Sequence, residues 1–208
     1  MPYRALLIDL DDTLFDRTAA FRAWAEVAAR AELGRPLSGA EWALLLELDG
    51  RGHRPREELA AAARERLGLT IDAQRFGHTL VEHITREPGV VETITELART
   101  RRVAVVTNGG TAQRAKLEAI GLSHVMHAVF VSSEVQITKP ALGIFERALR
   151  WTEYEPHEVL FVGDDPIIDL APAASLGMAT AWRVRGVWPR ELAPPTHRIE
   201  AITELLAL

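Results

Sequence analysis

The sequence contains no cysteine, only two lysines among 24 basic residues, and no apolar run near the length of a membrane span. Without thiols neither disulfides nor thiolate metal sites can form, and a cytoplasmic setting is the expectation. The N-terminal apolar run, Ala5-Leu6-Leu7-Ile8, ends on Asp9 and is too short for the hydrophobic region of a signal peptide. Crossing a bilayer takes about 18 or more consecutive apolar residues, so no membrane partner is expected. The net charge of −5 argues against a groove that neutralises nucleic-acid phosphates, so no nucleic acid is expected as a partner either. A small anion held by a few local cations is compatible with it. Basic side chains are arginine almost throughout, and the exceptions are Lys116 and Lys139.

What is present is enough apolar material for a substantial core: 48% of 208 residues, which suits one domain with a modest insertion. Short apolar runs recur at Ala5–Ile8, Val103–Val106, Ala128–Val131, Val159–Val162 and Ala179–Trp182. Each has strand length and lacks alternation, as in strands buried on both faces of a parallel sheet. Helical spacing separates the later runs, over Ala112–Ile120, Leu142–Arg150 and Leu170–Leu176, so the pattern predicts an α/β doubly wound domain. A last short strand is expected around Arg198 and Ile199, after a proline-rich loop from Pro189 to Pro195.

Between the first strand and the second, strand signals vanish. Ser38-Gly39-Ala40-Glu41 fits a capping box, Pro55 suits a first helical turn before Leu59–Leu67, and Gly68 offers a stop. Asp72 can cap a further helix carrying Phe76, Leu80 and Ile84. The expected organisation is a sheet core over 1–16 and 87–208, interrupted by an all-helical insertion of about four helices over 17–86. Trp24 and Trp42 are expected to pack inside that insertion.

Ligands of open parallel sheets bind at the carboxyl ends of the strands. Here the first run is followed by Asp9, Asp11, Asp12 and Thr13, and the second by Thr107, Asn108, Gly109 and Gly110. Lys139-Pro140 follows the third at a short distance, and the fourth leads into Gly163-Asp164-Asp165 with Asp169 beyond. Carboxylates gathered at one sheet end repel one another unless a cation sits among them. An oxygen-only set, Asp9, Asp164 and Asp169, suits a hard ion such as magnesium. Such an ion also screens an incoming phosphate, so that Asp9 can attack phosphorus. Asp11, two residues on in an extended segment, points the same way and can protonate the departing oxygen. The Thr107 hydroxyl and the backbone N–H groups of the Asn108-Gly109-Gly110 turn can hold phosphoryl oxygens, and Lys139 supplies a compact positive charge.

These segments, in this order, resemble the four motifs of the haloacid dehalogenase-like (HAD) superfamily: Asp9-Leu10-Asp11-Asp12-Thr13-Leu14, Thr107-Asn108-Gly109, Lys139-Pro140, and Gly163-Asp164 with Asp169. Within it, the chain is similar to the phosphoglycolate phosphatase-like subfamily, which carries a helical cap after the first strand. The resemblance covers essentially the whole length. It implies a magnesium-dependent phosphatase for a small phosphorylated metabolite, with an aspartyl-phosphate on Asp9 and Asp11 acting as acid, then base. It implies the backbone carbonyl of Asp11 joining Asp9 and Asp164 on the metal, and Asp169 as a ligand through water or a partner of Lys139. Three positions depart from the pattern: Gln136 and Pro172 where glycine is usual, and Asp165 where serine is common.

A calcium loop starting at Asp9 fails, because Leu14 holds the sixth position and Ala20 the twelfth. A phospho-accepting receiver domain needs no helical insertion and carries its acceptor on a later strand than its acidic pair. A haloacid dehalogenase has no use for the acid Asp11, whereas a phosphomutase shares both the acid and the metal and stands as the alternative. Substrate choice is expected to lie in the cap, where Asp49-Gly50-Arg51-Gly52-His53-Arg54-Pro55-Arg56 is a glycine-punctuated basic loop. Arg51, His53 and Arg54 are the candidates there, against the alternative of a solvated loop at a helix start.

Overall fold

A computed structural model describes residues 3–208, so the N-terminal dipeptide Met1-Pro2 lies outside the described residues. The chain divides into two compact units: Met1–Asp16 with Arg86–Leu208, and Arg17–Thr85. Its first strand is β1 (Ala5–Ile8). The helical unit follows, with α1 (Arg17–Leu33), α2 (Gly39–Asp49), a 3-10 turn (Gly50–Gly52), α3 (Arg56–Leu67) and α4 (Phe76–Val81). After the chain returns come α5 (Val90–Ala98), β2 (Arg102–Thr107), α6 (Ala112–Ala119), β3 (Ala128–Val131), α7 (Ser132–Val135) and α8 (Leu142–Thr152). Then follow β4 (Val159–Gly163), a π-helical turn (Pro166–Leu170), α9 (Ala171–Ser175), β5 (Ala179–Arg183) and β6 (His197–Ile199).

The six strands form one parallel sheet in the order β3-β2-β1-β4-β5-β6. The central strands β1 and β4 are buried at every residue, as their unbroken apolar runs require, while the edge strand β3 is only half-buried. On one face Ile144, Phe145 and Ala148 of α8 pack on Leu7, Val106 and Phe161, with the Phe145 and Phe161 rings 5.1 Å apart. Crossing from β1 to β4 reverses the direction of winding, and it is there that doubly wound sheets open a crevice at their carboxyl ends.

Both chain crossings out of the sheet unit are tied down within it. Arg185, just beyond β5, donates to the Asp12 carbonyl at 3.0 Å, to Asp16 Oδ2 at 3.4 Å and to Glu87 Oε1 at 2.6 Å. Arg183 reaches the other Glu87 oxygen at 2.8 Å. Asp16 closes the outgoing segment and Glu87 stands at the start of the returning one, so two arginines from one strand end fasten both.

The helical unit has its own core of Phe21, Trp24, Leu45, Leu59, Leu67 and Phe76, among others. Trp24 lies edge-on to Phe76 with centroids 4.9 Å apart, and Trp42 packs against the same cluster. The capping box at Ser38 and Glu41 is formed, and Gly68 ends α3 in the left-handed conformation. Pro55 stands immediately before α3 rather than inside its first turn. Asp72 accepts from the Gln74 and Arg75 N–H groups in the turn that leads into α4, but the helix itself runs only from Phe76 to Val81 with no side-chain cap, so Ile84 falls beyond it. The helix α5 has no counterpart among the expected elements, and Leu170 belongs to the π-helical turn rather than to α9.

Inside this unit Asp49 is fully buried and takes a two-pronged contact from buried Arg17, at 2.7 and 2.8 Å, with Arg56 at 3.2 Å on the same carboxylate. Removing one member of a buried ion pair strands the other, which costs about 3–5 kcal/mol. Asp49→Ala is therefore expected to lower the unfolding free energy by about that amount in urea titrations followed by tryptophan fluorescence. A loss below about 1 kcal/mol would mean that the pair is not holding the start of α1 to the end of α2.

Candidate active site

The sheet register decides which side chains meet. Ile8 pairs with Val105 on one side and Val162 on the other, and the Asp9 N–H donates to the Val162 carbonyl at 2.9 Å. Asp9 therefore emerges between the ends of β2 and β4, flanked by Thr107 and by Gly163-Asp164. Past Asp9 the chain turns on itself: Leu14 N–H reaches the Leu10 carbonyl at 3.0 Å, and both leucines are buried. Asp12, for which the sequence suggests no chemistry, occupies the left-handed region at φ 59°, which a short polar side chain tolerates better than most. Thr13 Oγ1 donates to Asp9 Oδ2 at 3.3 Å, bracing the carboxylate from behind.

Lys139 lies at the centre of the cluster. Its ammonium sits 2.6 Å from Asp9 Oδ1 and 2.6 Å from Asp169 Oδ1, with all three groups buried. Asn108 holds the lysine in place through its main chain: the side-chain amide donates to the Lys139 carbonyl at 3.0 Å and accepts from the Lys139 N–H at 2.8 Å. Burial pushes the Asp9 carboxyl up to about 7; Lys139 pulls against that, while Asp169 and Asp11 add to the rise. For Lys139 burial disfavours the charge, yet Asp169 and Asp9 outweigh it and hold the ammonium above its ordinary value.

One carboxylate oxygen from each of Asp9, Asp164 and Asp169 lies within 4.8 Å of the other two, and all three residues are buried. Oxygens on opposite sides of an octahedral magnesium ion are about 4.2 Å apart, so small side-chain rotations bring this set onto one ion. Charge points the same way. Lys139 is paired with two members of the set, Asp9 and Asp169, and three carboxylates gathered this closely favour a further cation among them. The donor set therefore fits a hard metal ion.

Asp169 reaches this cluster because Gly163 has no side chain. A Cβ at Gly163 would lie 2.6 Å from Asp169 Oδ2 and 2.7 Å from its Cβ. The π-helical turn carrying Asp169 is started by Asp165, whose carboxylate accepts from the Ile167 and Ile168 N–H groups at 2.8 and 2.9 Å. That is the work a serine cap would do, and it accounts for Asp165 among the departures from the family pattern. Gln136 sits at φ 58°, a left-handed position where glycine is the easier residue. Pro172 falls in the first turn of α9, where its missing N–H breaks no helical bond.

Asp11 is held by side chains that sequence reasoning passed over. Lys116 Nζ lies 2.6 and 2.8 Å from its two carboxylate oxygens, and Gln113 Nε2 donates to Oδ2 at 2.8 Å and to Thr107 Oγ1 at 2.7 Å. Gln113 gets there by crossing Gly109, where a Cβ would meet its side chain at 2.8 Å. So the glycine expected to open the turn to a ligand also makes room for a side chain. The scarcity of lysine was the available signal: both lysines of the chain are buried against aspartates of the first motif. Arg51, His53 and Arg54 belong to the other unit, on the turn between α2 and α3, where Arg51 is left-handed at φ 56° and Arg54 lies 3.9 Å from Glu58.

Residues 3–177 match the family of haloacid dehalogenase-like hydrolases. A phosphoserine phosphatase of Thermus thermophilus is 33% identical, covering 97% of both chains. A glyceraldehyde 3-phosphate phosphatase of Methanopyrus kandleri is 27% identical over 98% of this chain and 95% of its own. Among solved structures, the HAD-hydrolase YfnB of Bacillus subtilis, bound to magnesium, superposes with a TM-score of 0.83 at 25% identity, over 100% of this chain and 98% of that one.

The Gly163 contact gives a test free of any assumption about substrate. Gly163→Ala is expected to force Asp169 aside and cost about 1–3 kcal/mol in thermal or urea unfolding, the usual range for overpacking. A change within about 0.5 kcal/mol would show that the turn carrying Asp169 yields freely.

Proposed function

The chain belongs to the haloacid dehalogenase-like hydrolases, and on that premise we propose that it is a magnesium-dependent phosphatase that hydrolyses a small phosphomonoester through an aspartyl-phosphate on Asp9. The observation that carries this reading is the pairing of Asp9 with Lys139 at 2.6 Å inside a buried set of aspartates, with a second carboxylate, Asp11, two residues away. The relatives named as phosphatases over nearly their full length support it.

Asp9, Asp164 and the Asp11 backbone carbonyl would hold the magnesium ion, with Asp169 as a further ligand or through water. When bound, the ion supplies the charge that lets a carboxylate and a phosphate approach each other. In the first step an Asp9 oxygen attacks phosphorus and the ester P–O bond breaks, while Asp11 in its acid form gives its proton to the departing oxygen, which leaves as the alcohol. In the second step Asp11, now a carboxylate, takes a proton from water as the water oxygen attacks phosphorus. The Asp9–phosphorus link breaks, releasing inorganic phosphate and restoring both aspartates. Lys139 stays positive throughout and can share itself between the aspartates and a phosphoryl oxygen. Thr107 accepts from Gln113 and so keeps its own proton for donation, now directed at the Asn108 carbonyl at 3.4 Å and able to turn to a phosphoryl oxygen. For Asn108 the clamp on Lys139 is the side chain's task, and its N–H is the group left to the phosphate. Selection of the ester is assigned to the inserted helical unit, and Arg51, His53 and Arg54 are the first residues to substitute.

The test is chemical. With magnesium and a panel of phosphorylated metabolites that includes phosphoserine and glyceraldehyde 3-phosphate, the wild-type protein should release phosphate, and Asp9→Asn should lose at least about 10³-fold in kcat. Acid quenching of a turnover mixture with a labelled substrate should trap a hydroxylamine-sensitive phosphoprotein that Asp9→Asn lacks. Turnover surviving in Asp9→Asn, or in the presence of a magnesium chelator, refutes the mechanism.

A further inference from the structure

We propose that Lys116 and Gln113 form a positioning pair for the proton-transfer carboxylate, locking Asp11 in one orientation and at a fixed distance from Thr107. The proposal rests on the phosphatase reading above, since it concerns the residue assigned there to move the proton. Neither residue belongs to the four motifs that carry the family resemblance.

Gln113 and Lys116 lie three residues apart on α6, hence on one face of it, and both are buried. Asp11 is less so, with its side chain 23% exposed against 5% for Lys116, so the carboxylate is gripped from the protein side and open on the other. An amide nitrogen has two hydrogens, and in Gln113 each has an acceptor: Asp11 Oδ2 at 2.8 Å and Thr107 Oγ1 at 2.7 Å. One nitrogen thereby sets the spacing between a hydroxyl placed for the phosphoryl group and the carboxylate placed for the leaving oxygen. Lys116 takes both Asp11 oxygens from a point 5.9 Å from the centre of the buried Phe15 ring, and Asp11 and Phe15 are themselves bridged through their backbones. A compact ammonium fits that space, where a planar guanidinium is larger, which gives a reason for lysine in a chain that otherwise uses arginine. The cost of misplacing a proton donor falls on esters whose alcohol leaves poorly, because good leaving groups depart without the proton.

A series of substituted phenyl phosphates, from p-nitrophenyl to p-methoxyphenyl phosphate, reads this directly. In Lys116→Met the p-methoxyphenyl ester should lose about 10-fold or more beyond the loss of the p-nitrophenyl ester, giving a steeper dependence on leaving-group basicity. Asp11→Asn should show the same steepening, and the double variant should be no steeper than Asp11→Asn alone. If Lys116→Met does not fold, Gln113→Leu removes an amide and no buried charge and should steepen the series in the same direction. An unchanged slope in Lys116→Met and Gln113→Leu, beside a steepened slope in Asp11→Asn, overturns the proposal and leaves the phosphatase reading standing. A slope unchanged in Asp11→Asn as well removes the acid role itself and the positioning role with it.

Discussion

Two buried aspartates, Asp9 and Asp169, share one ammonium, and the arrangement of this sheet end depends on that contact. Like charges at this range in a protein interior repel by several kcal/mol unless a cation lies between them. Lys139 meets that demand, and the parts around it serve to keep it there. Asn108 grips its main chain from the end of β2, Gly163 lets Asp169 come close, and Asp165 starts the turn that presents Asp169. Lys139 answers only part of the negative charge. Asp164 joins Asp9 and Asp169 in the same buried set, a grouping of carboxylates that suits a divalent ion, while burial above all, with Asp169 and Asp11 adding to it, raises the Asp9 carboxyl.

Both lysines of the chain are spent on the first motif, one on Asp9 and one on Asp11. Their surroundings differ in a way that matches the two jobs assigned to the aspartates. Asp9 is enclosed, braced by Thr13 and surrounded by other carboxylates, as suits a group that attacks within a metal-bearing cluster. Asp11 stands at the more open edge, held from behind by α6, as suits a group that exchanges protons with a leaving alcohol and with water. The two residues are one peptide unit apart from being neighbours, yet their anchors come from different segments of the chain.

The first five strands were legible because each contains a short apolar run without alternation, which is what a parallel sheet covered on both faces asks for. The residues at their carboxyl ends were legible for the same reason: once the strands are placed, Asp9, Thr107 and Asp164 must converge. Two kinds of feature were not. Side chains that arrive from a helix, such as Gln113 and Lys116, leave no mark in strand-end reasoning, although the rarity of lysine pointed to position 116 as much as to 139. Residues with a double use were read for one use only. Asn108 reads from the sequence as a backbone donor, and its side-chain amide also holds the Lys139 main chain; Gly109 reads as an opening for a ligand and also clears the path of Gln113. Asp165 looked like a departure because its capping role, shared chemically with serine, shows only when the Ile167 and Ile168 N–H groups are in view.

If the reading of this site is right, the carboxylates gathered around Lys139 are a place for magnesium. Calorimetric titration of magnesium chloride into the wild-type protein and into Asp164→Asn tests it most directly, because that substitution removes a proposed ligand charge without touching the lysine or its two partners. One magnesium ion per chain is expected in the wild type and no measurable binding in the variant; equal binding in both, or none in the wild type, would rule out a magnesium site there.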